Sequence, residues 1–453
     1  MSIGAGNPLP DRGIRAYLAQ LAGLFRSKLA RDTGKVFLGN LGGQGINFLA
    51  ILLLIRNLEP AQFGLFSTAL ALMMLASQFS DLGISTGFVR YASVYLKESP
   101  PTAEKLFKIT LLFKAGIGSL VLALGLLISP WLARGVFHSP ELVNLFRVAF
   151  LGSLGLTMWG FLQAVLQARE WFAKYAWINV FNNSLKLLGV AALLLWHRLS
   201  ADRALWILAV VPFVGFLLDG ILIPRGFVQT RIWNQQGKAI FSELFRFSKW
   251  VTLSTLCTMV LLRLEVFMLQ SLAGSQAVGI FNSANQLAMI FPILTNSLTI
   301  SLLPKVSSYR TRDEILSYIR KVLKVAPAVI LVFACGILVS GPIVTALFGS
   351  KYLDSIPIFK VLLLAFSVSV ILNPMSLILY SLERPSFFFL INLLQLMLAI
   401  PMNLGLIPRF GGFGASFTVL AIRLLALFMV AAWIIRYVRS GGSRHDRKAE
   451  NMA

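Results

Sequence analysis

The sequence predicts an all-α polytopic membrane protein of about 12 transmembrane helices in two six-helix lobes, with both termini cytoplasmic. Three observations predict it. Apolar runs of about 20 residues follow one another along most of the chain, each able to cross a hydrocarbon core of roughly 30 Å. The basic residues are distributed unevenly among the segments that join these runs. The second apolar run recurs, polar positions included, 215 residues further on. Composition agrees with the first observation. With 57% hydrophobic and 13% charged residues and a mean hydropathy of +0.77, the chain lacks the polar helix faces that a soluble protein requires.

Residues 1–35 hold no short apolar stretch with a small-residue cleavage site, so no signal peptide is read there. Ile14, Tyr17, Leu18, Leu21, Leu24, Phe25 and Leu29 recur at helical spacing among Arg12, Arg15, Arg26, Lys28 and Arg31. That pattern predicts a basic amphipathic helix lying on the inner membrane surface, with a plain tail as the alternative. Twelve spans follow at 36–56, 63–84, 109–131, 143–166, 174–196, 204–223, 247–271, 277–303, 325–348, 357–381, 386–408 and 413–437. Residues 224–246, containing Asn234, Gln235, Gln236, Gly237 and Lys238, read as a cytoplasmic connector between an N-lobe (36–223) and a C-lobe (247–437). Residues 438–453 form a basic tail. The segment after the eighth span sets Ile315, Ile319 and Val322 on one face beside Arg320, Lys321 and Lys324, a second candidate surface helix.

Orientation follows from the 41 Lys and Arg residues. With the N-terminus inside, 29 of them fall on inner segments, 7 on outer segments and the remaining 5 within spans. The positive-inside rule therefore places both termini in the cytoplasm. The net charge of +23 is accounted for by topology and contact with anionic lipid rather than by nucleic acid, because the charges lie between spans and at the termini. Cys257 and Cys335 sit in apolar segments, and His138, His197 and His445 show no ligand spacing, so no disulfide framework or metal site is indicated.

A shift of 215 residues lays Gly64 on Gly279, Phe66 on Phe281, Ala69 on Ala284, Ser80 on Thr295, Asp81 on Asn296 and Arg90 on Lys305. Both copies enter from the same side of the membrane, so the repeat is parallel and its axis runs along the membrane normal.

The repeated stretch RNLEPAQFGLFSTALAL, followed by SDLGISTGFVRY, resembles the first helix pair of bacterial polysaccharide flippases. These belong to the lipid-linked oligosaccharide or O-antigen type within the multidrug/oligosaccharidyl-lipid/polysaccharide exporter superfamily. Gly64, Asp81, Gly83 and Arg90 stand at the motif positions. Glu265 followed by Gly279-Ile280-Phe281 is similar to the family's second element, with Glu for the commoner Asp and Phe for the commoner Tyr. NLGLIPRFGGFGAS at 403–416 is similar to the element before its last helix pair.

The resemblance implies a flippase, not an enzyme, in surface polysaccharide, lipopolysaccharide or exopolysaccharide synthesis at the bacterial cytoplasmic (inner) membrane. It would move an undecaprenyl-pyrophosphate-linked sugar repeat unit from the inner to the outer leaflet by alternating access. The implied partners are this lipid-linked oligosaccharide and membrane lipids, with polysaccharide polymerase and assembly machinery as candidate protein partners and no nucleic acid. No cofactor is implied, and a coupling ion, H+ or Na+, is left open.

Such a cargo needs cations for its pyrophosphate and amides or hydroxyls for its sugars. Lys186 lies near the middle of span 5, and Asn179, Asn182 and Asn183 precede it on what helical spacing reads as one face. A polar stripe at that depth lines a wet cavity or a helix interface. Asn40, Gln44 and Asn47 form a stripe on span 1, where Gly39, Gly42 and Gly43 are read as close-packing positions. Arg423 in span 12 and Asn282, Asn285 and Gln286 in span 8 are further candidates for the cavity, as are Asn392 and Gln395 in span 11. Lys114 and Arg147 lie near span ends and are expected to snorkel. Arg263 and Glu265, two residues apart, do not face each other on a helix. Glu265 is read on the polar face with Ser254 and Thr258 as a proton-coupling candidate. Arg263 is expected to reach the outer interface or an acidic partner on another helix. Asp81, with Arg90 as a candidate partner, closes the gating set.

Another cargo of the same superfamily, a peptidoglycan lipid precursor or a drug, is the competing reading. A polysaccharide polymerase or ligase would need a long outer loop with catalytic groups, which the short outer segments do not supply.

Overall fold

The computed structural model describes residues 28–222, 235–291, 306, 312–381 and 385–439. Helix α1 spans Lys28–Asn57, α2 Pro60–Asp81, α3 Ile84–Glu98, α4 Pro100–Trp131, α5 Leu142–Ala168, α6 Phe172–Leu195 and α7 Ala201–Leu222. The second half contributes α8 (Gln235–Ala288), α9 (Arg312–Leu338), α10 (Ser340–Phe348), α11 (Ser355–Ser381) and α12 (Pro385–Arg439). Among the described residues nine helices are long and apolar enough to cross a membrane. Two of them, within α8 and α12, are each divided by a glycine with non-helical backbone: Gly274 (φ 80°) and Gly411 (φ 54°). Positive φ is open to glycine at no steric cost, so each junction redirects the chain without strain. These divisions, together with α1, accommodate the twelve helical segments expected. The amphipathic stretch before Lys28 and residues 292–303 of the eighth span lie outside the described residues.

The exterior is apolar where helices face outward. Leu127, Leu195 and Leu338 are among the most exposed side chains, and exposed Trp131 and Trp196 stand at helix ends. Leucine-lined flanks with tryptophan at their ends suit a bilayer and its two interfaces.

Helices α1–α7 pack among themselves, as do α8–α12, and the two groups meet chiefly along α2 and α8. Phe63, Phe66, Ala69 and Met73 of α2 join Val266, Leu269, Val278, Phe281 and Ala284 of α8 in one buried cluster. The contact is closest at two glycines. A Cβ on Gly64 would lie 1.7 Å from the Ser275 carbonyl oxygen, and one on Gly279 would lie 1.9 Å from that of Pro60. These positions are paired by the 215-residue shift (Pro60 with Ser275, Gly64 with Gly279). The contact is therefore reciprocal, as a two-fold relation between the copies requires.

At its other end α2 stops where Leu82 (φ 45°) and Gly83 (φ 62°) take left-handed conformations. Asp81 then accepts hydrogen bonds from the Ser85 amide (3.4 Å) and hydroxyl (2.6 Å) in the first turn of α3. The DLG of the motif is thus a helix-to-helix corner. Of the candidate surface helix at 307–324, the described residues 312–324 form the first part of α9, continuous with the following span. Ile315 and Tyr318 are buried there against Met375 and Ile378 of α11.

Candidate functional site

Helix α6 carries its polar stripe against α1. A Cβ on Gly39 would overlap that of Ala176, and one on Gly43 would meet the Asn183 and Asn179 amide nitrogens at 3.1 and 3.2 Å. This close approach lets Asn179 donate to Asn40 Oδ1 (3.0 Å), Asn183 to Asn179 Oδ1 (3.2 Å), and Lys186 Nζ to Asn183 Oδ1 (3.2 Å). The result is a hydrogen-bonded chain from α1 to the ammonium. Asn182 does not belong to it, contrary to the single face expected. Its amide points to the Val211 carbonyl of α7 (3.4 Å). Consecutive residues on a helix are about 100° apart, so Asn182 and Asn183 cannot share one direction. Of the span 1 candidates, Asn40 joins the chain, whereas Gln44 is exposed and Asn47 half-buried.

The second half of the molecule holds a charged group between α8, α11 and α12. Glu265 is buried and lies within electrostatic reach of Arg423 and Arg263. Arg423 donates through Nη1 to the Ser369 hydroxyl, and its guanidinium stacks over Phe366 with 4.5 Å from Cζ to the ring centroid. Arg263 reaches across to α2, where its Nη2 meets the Met74 sulfur at 2.9 Å. Its partner is thus a thioether on the other helix group, in place of the carboxylate or outer interface expected. Both guanidinium Nε atoms are buried without a partner. Nearby, Asn392 donates to Thr258 (3.1 Å) and Gln395 to the Ile422 carbonyl (2.9 Å). Asn282, Asn285 and Gln286 are half-buried, and Ser254 lies outside the residues whose side chains are described.

Lys114 overturns the snorkelling expectation. Its side chain is 1% exposed and its Nζ forms an ion pair with Asp81, while also donating to the Ser85 hydroxyl (2.6 Å). Asp81 thus has Lys114 and Ser85 as partners in place of Arg90. The reason is local. The corner after Asp81 folds α3 back, and α2, α3 and α4 then enclose the ammonium before it reaches a surface. Arg147, by contrast, is exposed and lies 3.5 Å from Asn144 Oδ1.

The Pro60 end of the α2–α8 contact is tied by further bonds. Tyr352, in the connection between α10 and α11, donates to the Leu58 carbonyl (3.2 Å) and packs on Phe63 and Phe348. Burial, and then the nearby Glu59, hold its phenol neutral well above the usual tyrosine range. Lys351 pairs with Glu59 (2.7 Å), an exposed bridge. From the opposite side Ser271 donates to the Val136 carbonyl (2.9 Å) and Phe137 packs on Phe267. Thr68 of α2 donates to Gln270 Oε1 (3.0 Å). None of Tyr352, Gln270 or Phe137 was singled out in sequence, since each is an ordinary residue near a span end.

A family model described as "Polysaccharide biosynthesis protein" matches residues 29–310, more than half of the chain. The chain belongs to the polysaccharide biosynthesis protein family. The family lies within the multidrug/oligosaccharidyl-lipid/polysaccharide exporter superfamily, and the resemblance read from the motifs agrees. One relative, the lipopolysaccharide biosynthesis protein WzxC of Escherichia coli (strain K12), is 22% identical over 372 residues, covering 79% of this chain and 70% of its own. Among solved structures, an inward-facing multidrug resistance MATE family transporter superposes with a TM-score of 0.73 at 14% identity, over 88% of this chain and 95% of that one. The lipid II flippase MurJ, in an inward closed conformation, gives 0.71 at 13% identity, over 89% and 87%. These structures establish the shared helical membrane fold. Family membership makes the chain a flippase-type membrane transporter of polysaccharide biosynthesis rather than an enzyme.

Proposed function

We propose that this transporter moves an undecaprenyl-pyrophosphate-linked oligosaccharide repeat unit from the inner to the outer leaflet of the bacterial cytoplasmic membrane. It does so by alternating access between two lobes, residues 36–223 and 247–437, joined by the connector 224–246, with both termini cytoplasmic. The observation that carries the mechanism is the reciprocal contact of Gly64 with Ser275 and of Gly279 with Pro60. Two symmetric rigid bodies held together along α2 and α8, most closely at this glycine pair, can part at this end as they rock, which is how carriers built from repeats expose a central site to each side in turn. The positive-inside reading puts this contact at the outer end, so the conformation described is closed outward.

In this reading Lys186, held by the Asn40–Asn179–Asn183 chain, and Arg423, held by Ser369 and Phe366, offer the pyrophosphate cations that are oriented in advance. Glu265 is the coupling group for H+ or Na+, since a carboxyl buried at membrane depth is a group that either cation can neutralise as the lobes move. The prenyl tail never leaves the lipid, so only the head needs a polar route.

Deletion of the gene is expected to accumulate lipid-linked oligosaccharide in the inner leaflet, and the wild-type chain to clear it. Lys186→Ala should reduce clearance at least about tenfold, the loss of one buried charge contact, while Lys186→Arg retains most of it. Unchanged inner-leaflet oligosaccharide after deletion would refute the cargo, and full clearance by Lys186→Ala would remove Lys186 from its recognition.

A further inference from the structure

A second polar site, away from Lys186, Glu265 and Arg423, lies between α3, α5 and α6. A cavity of about 250 Å³ is lined by Ser85, Thr86 and Val89 of α3, Gly160, Gln163, Ala164 and Gln167 of α5, and Tyr175 of α6. Its volume matches about eight water molecules. Thr86 and Gln167 are exposed at its rim, and Gln163 is 8% exposed within it. Both the nitrogen and the oxygen of the Gln163 carboxamide are buried without a hydrogen-bond partner. Leaving a donor and an acceptor unpaired at one buried group is costly, so the site is built for something that supplies both.

The chemistry of that partner follows from what the walls have left to offer. Lys114 and Asp81, just behind Ser85, neutralise each other, and the Ser85 hydroxyl is committed to both. What remains is neutral: an amide donor and acceptor at Gln163, a second amide at Gln167, hydroxyls at Thr86 and Tyr175, and the flat face of the Tyr175 ring. A charged ligand would be desolvated there with no opposite charge among the lining residues to meet it. A ring carrying adjacent hydroxyls, each able to donate and accept, fits every group. Tyr175 also begins the stripe that continues through Asn179 and Asn183 to Lys186. Eleven residues of helix set the cavity roughly 16 Å along the same face from the ammonium.

We infer that this cavity is a binding subsite for a neutral sugar ring. It rests on the flippase reading in one respect, that the sugar belongs to the lipid-linked cargo whose pyrophosphate meets Lys186.

The test is a thermal-unfolding series on the full-length detergent-solubilised protein. Glucose, galactose, mannose and N-acetylglucosamine serve as probes and glycerol as the control, run beside complementation of the deletion strain. At least one sugar should raise the unfolding midpoint of the wild type, glycerol should not match it, and Gln163→Leu should abolish the shift. The apolar, similarly sized leucine removes the unpaired amide, so a purely structural Gln163 would be expected to unfold at the same or a higher temperature and transport normally. Here Gln163→Leu should fold at least as stably as the wild type yet clear the oligosaccharide about tenfold less well. No sugar-specific shift, or an equal shift in Gln163→Leu, overturns the subsite. A sugar-specific shift that Gln163→Leu abolishes, in a chain that does not complement the deletion, retains the subsite and removes the flippase cargo.

Discussion

Lys114 shows how membrane depth constrains a single residue. An ammonium with its side chain 1% exposed cannot reach water, and Asp81 supplies the compensating charge. Removing one member of a buried pair leaves the other uncompensated, which costs on the order of 3–5 kcal/mol, while replacing both can be nearly neutral. Asp81→Asn and Lys114→Met are therefore each expected to lower the thermal midpoint of the purified protein substantially. The double variant should recover most of the loss. A loss in the double variant equal to the sum of the two single losses would mean that the two groups act independently. The sequence held both residues but did not pair them. Asp81 was legible as part of a motif, whereas Lys114 stood 33 positions away with nothing in its own segment to mark it. Asn182 fails for a related reason. Periodicity groups residues within an arc, and only the neighbouring helices divide that arc between an interface with α1 and one with α7.

At the scale of elements, the α2–α8 contact depends on the absence of two Cβ atoms. A methyl at Gly64, placed 1.7 Å from a backbone oxygen, cannot be absorbed by a side-chain rotation, so the helices must separate. Gly64→Ala is expected to open the Pro60 end. A cysteine pair replacing Glu59 and Lys351, whose side chains meet at 2.7 Å, reports on it in a background lacking Cys257 and Cys335. A reducible bis-thiol-reactive reagent long enough to replace the two side chains should bridge the pair readily with Gly64 intact and much less with Gly64→Ala. Locking it should halt clearance of lipid-linked oligosaccharide, and reductant should restore it. Transport that continues at full rate in the locked protein would show that this end need not open. The sequence aligned Gly64 with Gly279 as equivalent positions but gave no sign that they touch each other. Equivalence is a property of sequence, and contact depends on where the axis passes.

For the whole molecule, the proposed sidedness in the membrane rests on the distribution of basic residues. Cytoplasmic reporters fused at either terminus should be active, and a cysteine at Lys351 should react with a membrane-impermeant reagent added outside whole cells. A terminus exported to the outside, or a Lys351 position labelled only from within, would invert the topology and with it the direction of transport. The cluster around α2–α8 joins residues of both halves of the chain, whereas those around α3–α5 and α9–α12 each stay within one half.

By itself the sequence determined the membrane class, the number of helical segments, the repeat and the family. Each of these is written in local composition or in motifs at a fixed offset, and hydrophobic length alone decides whether a helix can cross a bilayer. Only the tertiary structure decided which polar residues face one another. It joined Asn40 to Lys186 through α6, set Lys114 on Asp81, turned Arg263 toward Met74, and left the Gln163 amide alone in its cavity. The physical reason is that a polar group buried in a membrane protein must find its partner on another helix. Partner choice is then fixed by helix rotation and close approach, which no single segment encodes.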